Sequence, residues 1–466
     1  MKRISRRGVF AAMGLGAVGA VILSGCGSFG ETSAGVSSGK AGKVTDGYLD
    51  PDSLHSVEIT VDQSAYQEMI TAYTSNQTKN WIEATVTVDG VAHEKAGLKL
   101  KGNSSLQGIS ADSEPQKLPW LVRFDKFVDG ANHDGMTRMV IRASSSTSAL
   151  NEAVALDLLA KTGLASEKAA HISLSVNGSD PVLRLTCQDL DESWVAQNFD
   201  VAGLLYKAES TGDYTYRGTD ESAYKDVFDQ ETGKANLTPL IEFLQFINES
   251  SDADFQSGLA QRVDVDKLVT YLAFEDVIDN FDDITGPGNN SFLWWAEQAN
   301  QMTVVAWDHN CAFGLKPGAG QQGQGGGGQP PGGGGQDQGQ PPSGGQQPGG
   351  GQPPGDGGAP SNGQAPTGQP PGGAGGQQPP AAGQNPGGGG SQTKANALVD
   401  RFNSLMDGET KVSAERDRLK QELYTSGVAQ TILDARAKVL TDQAGSLIEQ
   451  SAVEADKQTI AAYFTK

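Results

Sequence analysis

Ile82-Glu-Ala-Thr-Val-Thr-Val88 alternates apolar and polar residues, and Asp89-Gly90 follows it directly. Period-two alternation ending in Asp-Gly reads as a half-buried strand entering a tight hairpin. The partner strand is expected through Ala96 to Lys101. Upstream, Val57, Ile59 and Val61 alternate in the same way, and Ser64 to Tyr73 reads as a short helix with Ser64 as N-cap. Downstream, Leu121–Phe124 and Met139–Arg142 read as strands, and Leu150–Thr162 as a helix stopped by Gly163. His171–Val176 is a strand before a second hairpin signal, Asn177-Gly178. Leu237–Asn248 and Val265–Ile278 are helical, and Phe292–Trp295 and Thr303–Trp307 read as paired strands. Antiparallel strands early and helices later give an α+β reading.

Composition then divides the chain. It has 466 residues, 37% of them hydrophobic, with 61 Gly and 21 Pro. Most of the Gly and Pro lie in a Gly/Gln/Pro tract from Pro317 to Ser391 with almost no apolar side chain. Such a segment cannot bury enough surface to offset ordering entropy, so the expectation is a disordered insertion. The tract lacks the strict period of collagen. Ala397 to Tyr463 is helical again, and its helices are few and short for an independent core, so they are expected to complete the preceding domain. The formal net charge is −21, from 35 Lys+Arg against 56 Asp+Glu. That charge disfavours nucleic acid and anionic membrane surfaces as partners and is compatible with a cation site.

The N-terminus sets the expected compartment. Lys2, Arg3, Arg6 and Arg7 precede an apolar run, Val9–Leu23, too short to span a bilayer comfortably. It ends in Leu23-Ser-Gly-Cys26, which resembles a bacterial lipobox with Cys26 as the lipid acceptor. The Arg6-Arg7 pair also fits twin-arginine export. The expected location is the extracytoplasmic face of the cell membrane, held through the lipid alone. Two further cysteines, Cys187 and Cys311, are open to pairing or to burial as free thiols.

Two segments concentrate residues with chemistry. Gly97-Leu-Lys-Leu-Lys-Gly-Asn-Ser-Ser105 runs a strand into a small polar turn, where Asn103, Ser104 and backbone N–H groups could meet phosphate. The second opens with Asp276-Val-Ile-Asp-Asn-Phe-Asp-Asp283. It continues through Asn289-Asn290-Ser291 and ends in Ala306-Trp-Asp-His-Asn-Cys-Ala-Phe-Gly314. Acids and amides on a loop, followed by a hairpin ending in Asp308, are suited to a hard divalent cation. The plainer reading is an acidic loop with Asp308 as a helix cap.

These stretches, with Lys117 before Leu121-Val-Arg-Phe-Asp-Lys126 and Leu204-Leu-Tyr-Lys-Ala-Glu209, resemble the CotH family, the spore-coat-type atypical protein kinases, over roughly residues 55–316. The resemblance implies a divergent protein-kinase-like fold, ATP with Mg2+ or Mn2+, and phosphate transfer to Ser or Thr of secreted or surface proteins. It makes Asp282 the catalytic acid and Asp308 the metal-binding acid, with Asn290 and Asn310 as further metal ligands. Lys117, Lys207, Asn103 and Ser104 become the nucleotide contacts. Asn310 stands where many members carry Asp. The alternative is a catalytically weak CotH-like surface scaffold or adhesion lipoprotein. The expected organisation is a signal peptide (1–25), a flexible tether (26–50), a CotH-like kinase domain (51–316), the insertion (317–393) and the C-terminal helices of that domain (394–466).

The lipobox reading has a direct check. The mature protein should begin at a lipid-modified Cys26 and partition into detergent. An intact N-terminus or an unmodified Cys26 by mass spectrometry refutes it.

Overall fold

The computed structural model describes residues 47–143, 146–315 and 395–465. Cys26, the signal and most of the tether, and the 317–393 tract lie outside the described residues. The strands are β1 (His55–Val61), β2 (Ile82–Val88), β3 (Val91–Leu100), β4 (Trp120–Arg123), β5 (Arg138–Ile141), β6 (Ala169–Val176), β7 (Val182–Cys187), β8 (Gly203–Ala208), β9 (Phe228–Gln230), β10 (Ser291–Ala296) and β11 (Gln301–Ala306). The helices are α1 (Gln63–Asn76), α2 (Leu150–Lys161), α3 (Glu192–Asn198), α4 (Thr238–Glu249), α5 (Asp252–Gly258), α6 (Val265–Val277), α7 (Ala397–Leu405), α8 (Gly408–Leu419), α9 (Val428–Gln443) and α10 (Gln450–Ala461). None is long and apolar enough to cross a membrane. The chain divides into two units, one built on His55–Ile141 and Ile172–Val182, the other on Leu49–Leu54, Arg142–His171 and the chain from Leu183 onward.

The first seven strands form a closed barrel in the order β1-β2-β3-β4-β5-β7-β6. β1 alternates strictly, with Val57, Ile59 and Val61 buried. The β2–β3 hairpin turns at Asp89 and Gly90, both at positive φ (46° and 81°), as a two-residue turn matched to strand twist requires. β3 then carries an extra residue between the pairs Ala84↔Ala96 and Val86↔His93. Lys95, at φ 56°, is in this bulge, which adds the local twist that helps a sheet to curl. Closure comes from parallel pairing of β1 with β6, from His55↔Ile172 to Ile59↔Val176.

This corrects the expected fold class. The chain does not adopt the α+β, protein-kinase-like fold: it has a closed seven-stranded barrel, with a separate sheet and helices in the other unit. Alternation reads the same in an open antiparallel sheet and in a closed barrel, and the β1–β6 pair joins residues more than a hundred positions apart. A smaller correction concerns α1. Its cap is Asp62, whose Oδ1 accepts from the Ser64 and Ala65 backbone N–H groups at 3.0 and 2.9 Å.

The second unit has a four-stranded antiparallel sheet, order β11-β10-β8-β9. Leu398, Phe402, Leu423, Leu433 and Leu440 share one core with Leu272, Phe274 and Val277 of α6. Polar contacts tie the same segments together. The Tyr424 hydroxyl donates to the Val277 carbonyl at 2.7 Å. Arg436 forks onto Asp157 at 2.6 and 2.7 Å, and Asp456 accepts from the Ser148 N–H and hydroxyl at 3.0 and 2.6 Å. Burying one large apolar side chain is worth about 1.5–3 kcal/mol, so five of them rival the ~5–15 kcal/mol stability of a domain. A chain ending at residue 315 should therefore lose the cooperative melting of the second unit, as followed by calorimetry. An unchanged transition would show that the helices after residue 395 are dispensable.

Candidate functional site

The register of β8, β10 and β11 gathers one end of the sheet. Lys207 faces Phe292, Phe292 faces Val305, and Ser291 faces Ala306. Asn290 therefore enters β10 beside the point where β11 leaves into Trp307 and Asp308. The Lys207 ammonium is 2.5 Å from Glu209 Oε1 and 5.5 Å above the Trp307 ring. The Trp307 ring in turn meets Phe292 edge-on at 5.5 Å. Asn289, at φ 54°, reaches back to the Glu209 carbonyl at 3.2 Å. Asn290 is buried.

Asp282 is on the loop that ends at Asn290. Its Oδ1 accepts from the Gly288 N–H at 2.5 Å. The Gly286-Pro287-Gly288 turn folds back so closely that a Cβ on Gly288 would sit 2.4 Å from Asp282 Oδ2, and one on Gly286 2.5 Å from the Asp282 Cα. At Gly286 a side chain would run into backbone, and at Gly288 it would displace the Asp282 carboxylate. Burial, and then the Glu275 charge, push the neighbouring Asp283 carboxyl up to about 6.

Asp308 precedes a short 3-10 turn, His309–Cys311, but its side chain makes no capping hydrogen bond. At φ 64° its backbone is in the left-handed region, which non-glycine residues rarely adopt. Its carboxylate instead takes an ion pair from Arg142, which also holds Glu152 with Nη2 2.8 Å from Oε1 and Nε 3.1 Å from Oε2. The Arg142, Glu152 and Asp308 side chains are 12%, 6% and 18% exposed. Burial works to lower the Arg142 pKa, but the Asp308 and Glu152 charges outweigh it and hold it well above the ordinary value. Burial raises the Glu152 carboxyl, against the opposing pull of Arg142. Asn151, next to Glu152 on α2, donates to the Asn310 carbonyl at 2.7 Å, so the start of α2 holds the Asp308 loop at two points. The Asn310 side-chain oxygen accepts from the Cys311 thiol, which burial first, then Asp308 and Asp282, push up to about 12. Cys187 and Cys311 are both buried free thiols.

The remaining expected contacts belong to the barrel unit. Asn103 accepts from the Lys79 ammonium at 2.8 Å. Ser104 begins the 3-10 turn Ser104–Leu106. Lys117 closes the turn Pro115–Lys117; it is 51% exposed and paired with Glu114, three residues before it. Among the described residues no three His, Cys, Asp or Glu side chains are grouped to hold a metal ion. The Asp308 carboxylate with the Asn290 and Asn310 amide oxygens is nevertheless an all-oxygen donor set. Mg2+ commonly uses one or two carboxylates and takes its other ligands from phosphate and water, so the chemistry of these oxygens suits it, with the Asp308 carboxylate paired to Arg142.

Residues 98–343, just over half of the chain, match the family described as CotH kinase protein, and the chain belongs to that family. A curated relative is the inner spore coat protein H of Bacillus subtilis (strain 168), 24% identical over 173 residues that make up 36% of this chain and 47% of that protein. The chain thus spans about half the length of that relative.

Arg142, Glu152, Glu209 and Glu275 were not singled out from the sequence. The available signal was a charged residue where burial was already expected: Glu152 inside the apolar helix Leu150–Lys161, and Arg142 at the end of a hydrophobic strand. Their pairing is testable by denaturation. Arg142→Met leaves Glu152 and Asp308 without their shared partner and should destabilise the fold by about 3–5 kcal/mol, and adding Glu152→Leu should restore only the part due to Glu152. A loss below about 1 kcal/mol for the single change would mean that the pair behaves as a solvated one.

Proposed function

We propose that the chain is an exported, lipid-anchored CotH-family phosphotransferase that moves the γ-phosphate of ATP, with Mg2+ or Mn2+, to Ser or Thr of secreted or cell-surface proteins. The observation that supports it most is the convergence of Lys207, Asn290 and Asp308 at one end of the β11-β10-β8 sheet, with Asp282 on the loop leading into Asn290. In this reading the acceptor hydroxyl oxygen attacks the γ-phosphorus, ADP leaves, and Asp282 orients the hydroxyl and takes its proton. Lys207 offsets phosphate charge, held by Glu209 against Trp307. Of the two candidate lysines it is favoured, since it is at the sheet end that carries Asn290 and Asp308, whereas Lys117 is half exposed. Asp308, Asn290 and Asn310 would hold the cation, which when bound neutralises the β- and γ-phosphates as the bond breaks.

A second reading, a catalytically weak surface scaffold, draws on the Arg142–Asp308 pair, because a neutralised carboxylate attracts a cation less strongly. Calorimetric titration of Mg·ATP, run beside incubation with labelled ATP, separates the two. Asp308→Ala should abolish both cation–nucleotide binding and transfer. Asp282→Asn should keep binding and lose about 10²–10⁴-fold in transfer, the range of a general base. Equal binding by the wild type and Asp308→Ala would make Asp308 structural and favour the scaffold.

A further inference from the structure

Glu275 is in the last turn of α6, its side chain 3% exposed. Its two carboxylate oxygens serve different segments. Oε2 accepts from Asn280 Nδ2 at 2.8 Å, and Oε1 faces His309 Nε2 at 3.2 Å. Asn280 is two residues before Asp282, and His309 directly follows Asp308. The backbone joins the same two segments: Phe313 N–H donates to the Ile278 carbonyl at 2.5 Å, and Gly314 N–H to the Asp279 carbonyl at 3.2 Å. A carboxylate this deeply buried is expensive to desolvate, and an apolar side chain of similar volume is often as stable or better. Stability alone therefore does not account for an acid at this position.

We infer that Glu275 is a positioning residue that fixes Asp282 and Asp308 relative to each other, one carboxylate oxygen to each loop. This deepens the proposed phosphotransfer and rests on that reading for the roles of the two aspartates. Asn280 Oδ1 and His309 Nδ1 are buried with no hydrogen-bond partner among the described residues, so each side chain is held to Glu275 through its other end. The Asn280 oxygen also makes the conservative variant informative. In Glu275→Gln the new amide can donate to a flipped Asn280 while its oxygen still accepts from His309, so both links survive without the charge. In Glu275→Met both are lost at similar volume.

The test uses the full ectodomain and two readouts. Hydrogen exchange followed by mass spectrometry should show faster exchange in both 279–284 and 309–314 for Glu275→Met, by about tenfold or more, with barrel strands unchanged. Glu275→Gln should recover at least half of that protection on a logarithmic scale. In transfer assays Glu275→Met should lower kcat by about 10²-fold, the scale of a misplaced catalytic group, with the KM for ATP moving less than about threefold. Glu275→Gln should regain about tenfold of the lost kcat. Faster exchange in only one segment, or in neither, overturns the inference, and so does Glu275→Gln behaving like Glu275→Met. If the wild type transfers no phosphate, the functional reading fails and the exchange data alone decide the positioning role. If Glu275→Met does not fold, Asn280→Ala and His309→Phe replace it. Each should loosen its own segment and raise exchange in the other, and loosening confined to its own segment overturns the inference.

Discussion

A charge withdrawn from water must find a partner, and the second unit is arranged around that requirement. Arg142 lies between Glu152 and Asp308, and Glu275 lies between Asn280 and His309. Each group would be costly to bury alone. Together they tie the start of α2 and the end of α6 to the loop after β11, next to the candidate acids Asp282 and Asp308. The network constrains the neighbouring backbone as well: Asp308 and Asp279 both hold left-handed conformations at the junctions it spans.

The same unit draws on distant parts of the chain. Its core joins α2, α4 and α6 with α7–α10, which re-enter at residue 395. Tyr424 reaches the Val277 carbonyl beside the Glu275 turn, and Phe313 meets the Tyr463 and Phe464 rings at 5.8 and 6.1 Å. A Cβ on Gly314 would lie 2.1 Å from the Tyr463 hydroxyl, so the C-terminal turn packs directly over the chain that follows Asp308. The helices past the Gly/Gln/Pro tract are thus part of what holds the candidate site in shape, although none of them supplies a residue to it.

Read as a site, the sheet end combines a lysine held by a glutamate, a tryptophan face, and amide and carboxylate oxygens on adjoining strand ends. In the proposed transfer the lysine would offset phosphate charge directly, and the oxygens would do so only through a bound cation. The acidic balance of the chain, −21 overall, makes the few cations placed at this end more consequential. Lys207 and Arg142 are both committed to carboxylates here, so any anionic ligand competes with Glu209, Glu152 and Asp308 for them.

Local chemistry determined much of what could be read without coordinates. Alternation located β1 and β2, the stretches read as paired strands, Phe292–Trp295 and Thr303–Trp307, overlap β10 and β11, the Asp89-Gly90 dipeptide set a hairpin, and the helical stretches overlap α2, α4 and α6. The acids and amides from Asp276 to Gly314 are close in sequence, and the β10–β11 register brings Asn290 and Asp308 to the same end of the sheet. What the sequence left open depends on contacts between distant residues. β1 meets β6 in parallel across more than a hundred positions, so closure of the barrel was invisible to patterns that extend only a few residues. Arg142, Glu152 and Glu275 looked like members of a strand and two helices, since a charge reveals its role only through the partner that folding brings to it. Alternation and turn chemistry act over neighbouring residues and are written in the chain. Strand closure and the pairing of buried charges act between segments, and only the tertiary structure decided them.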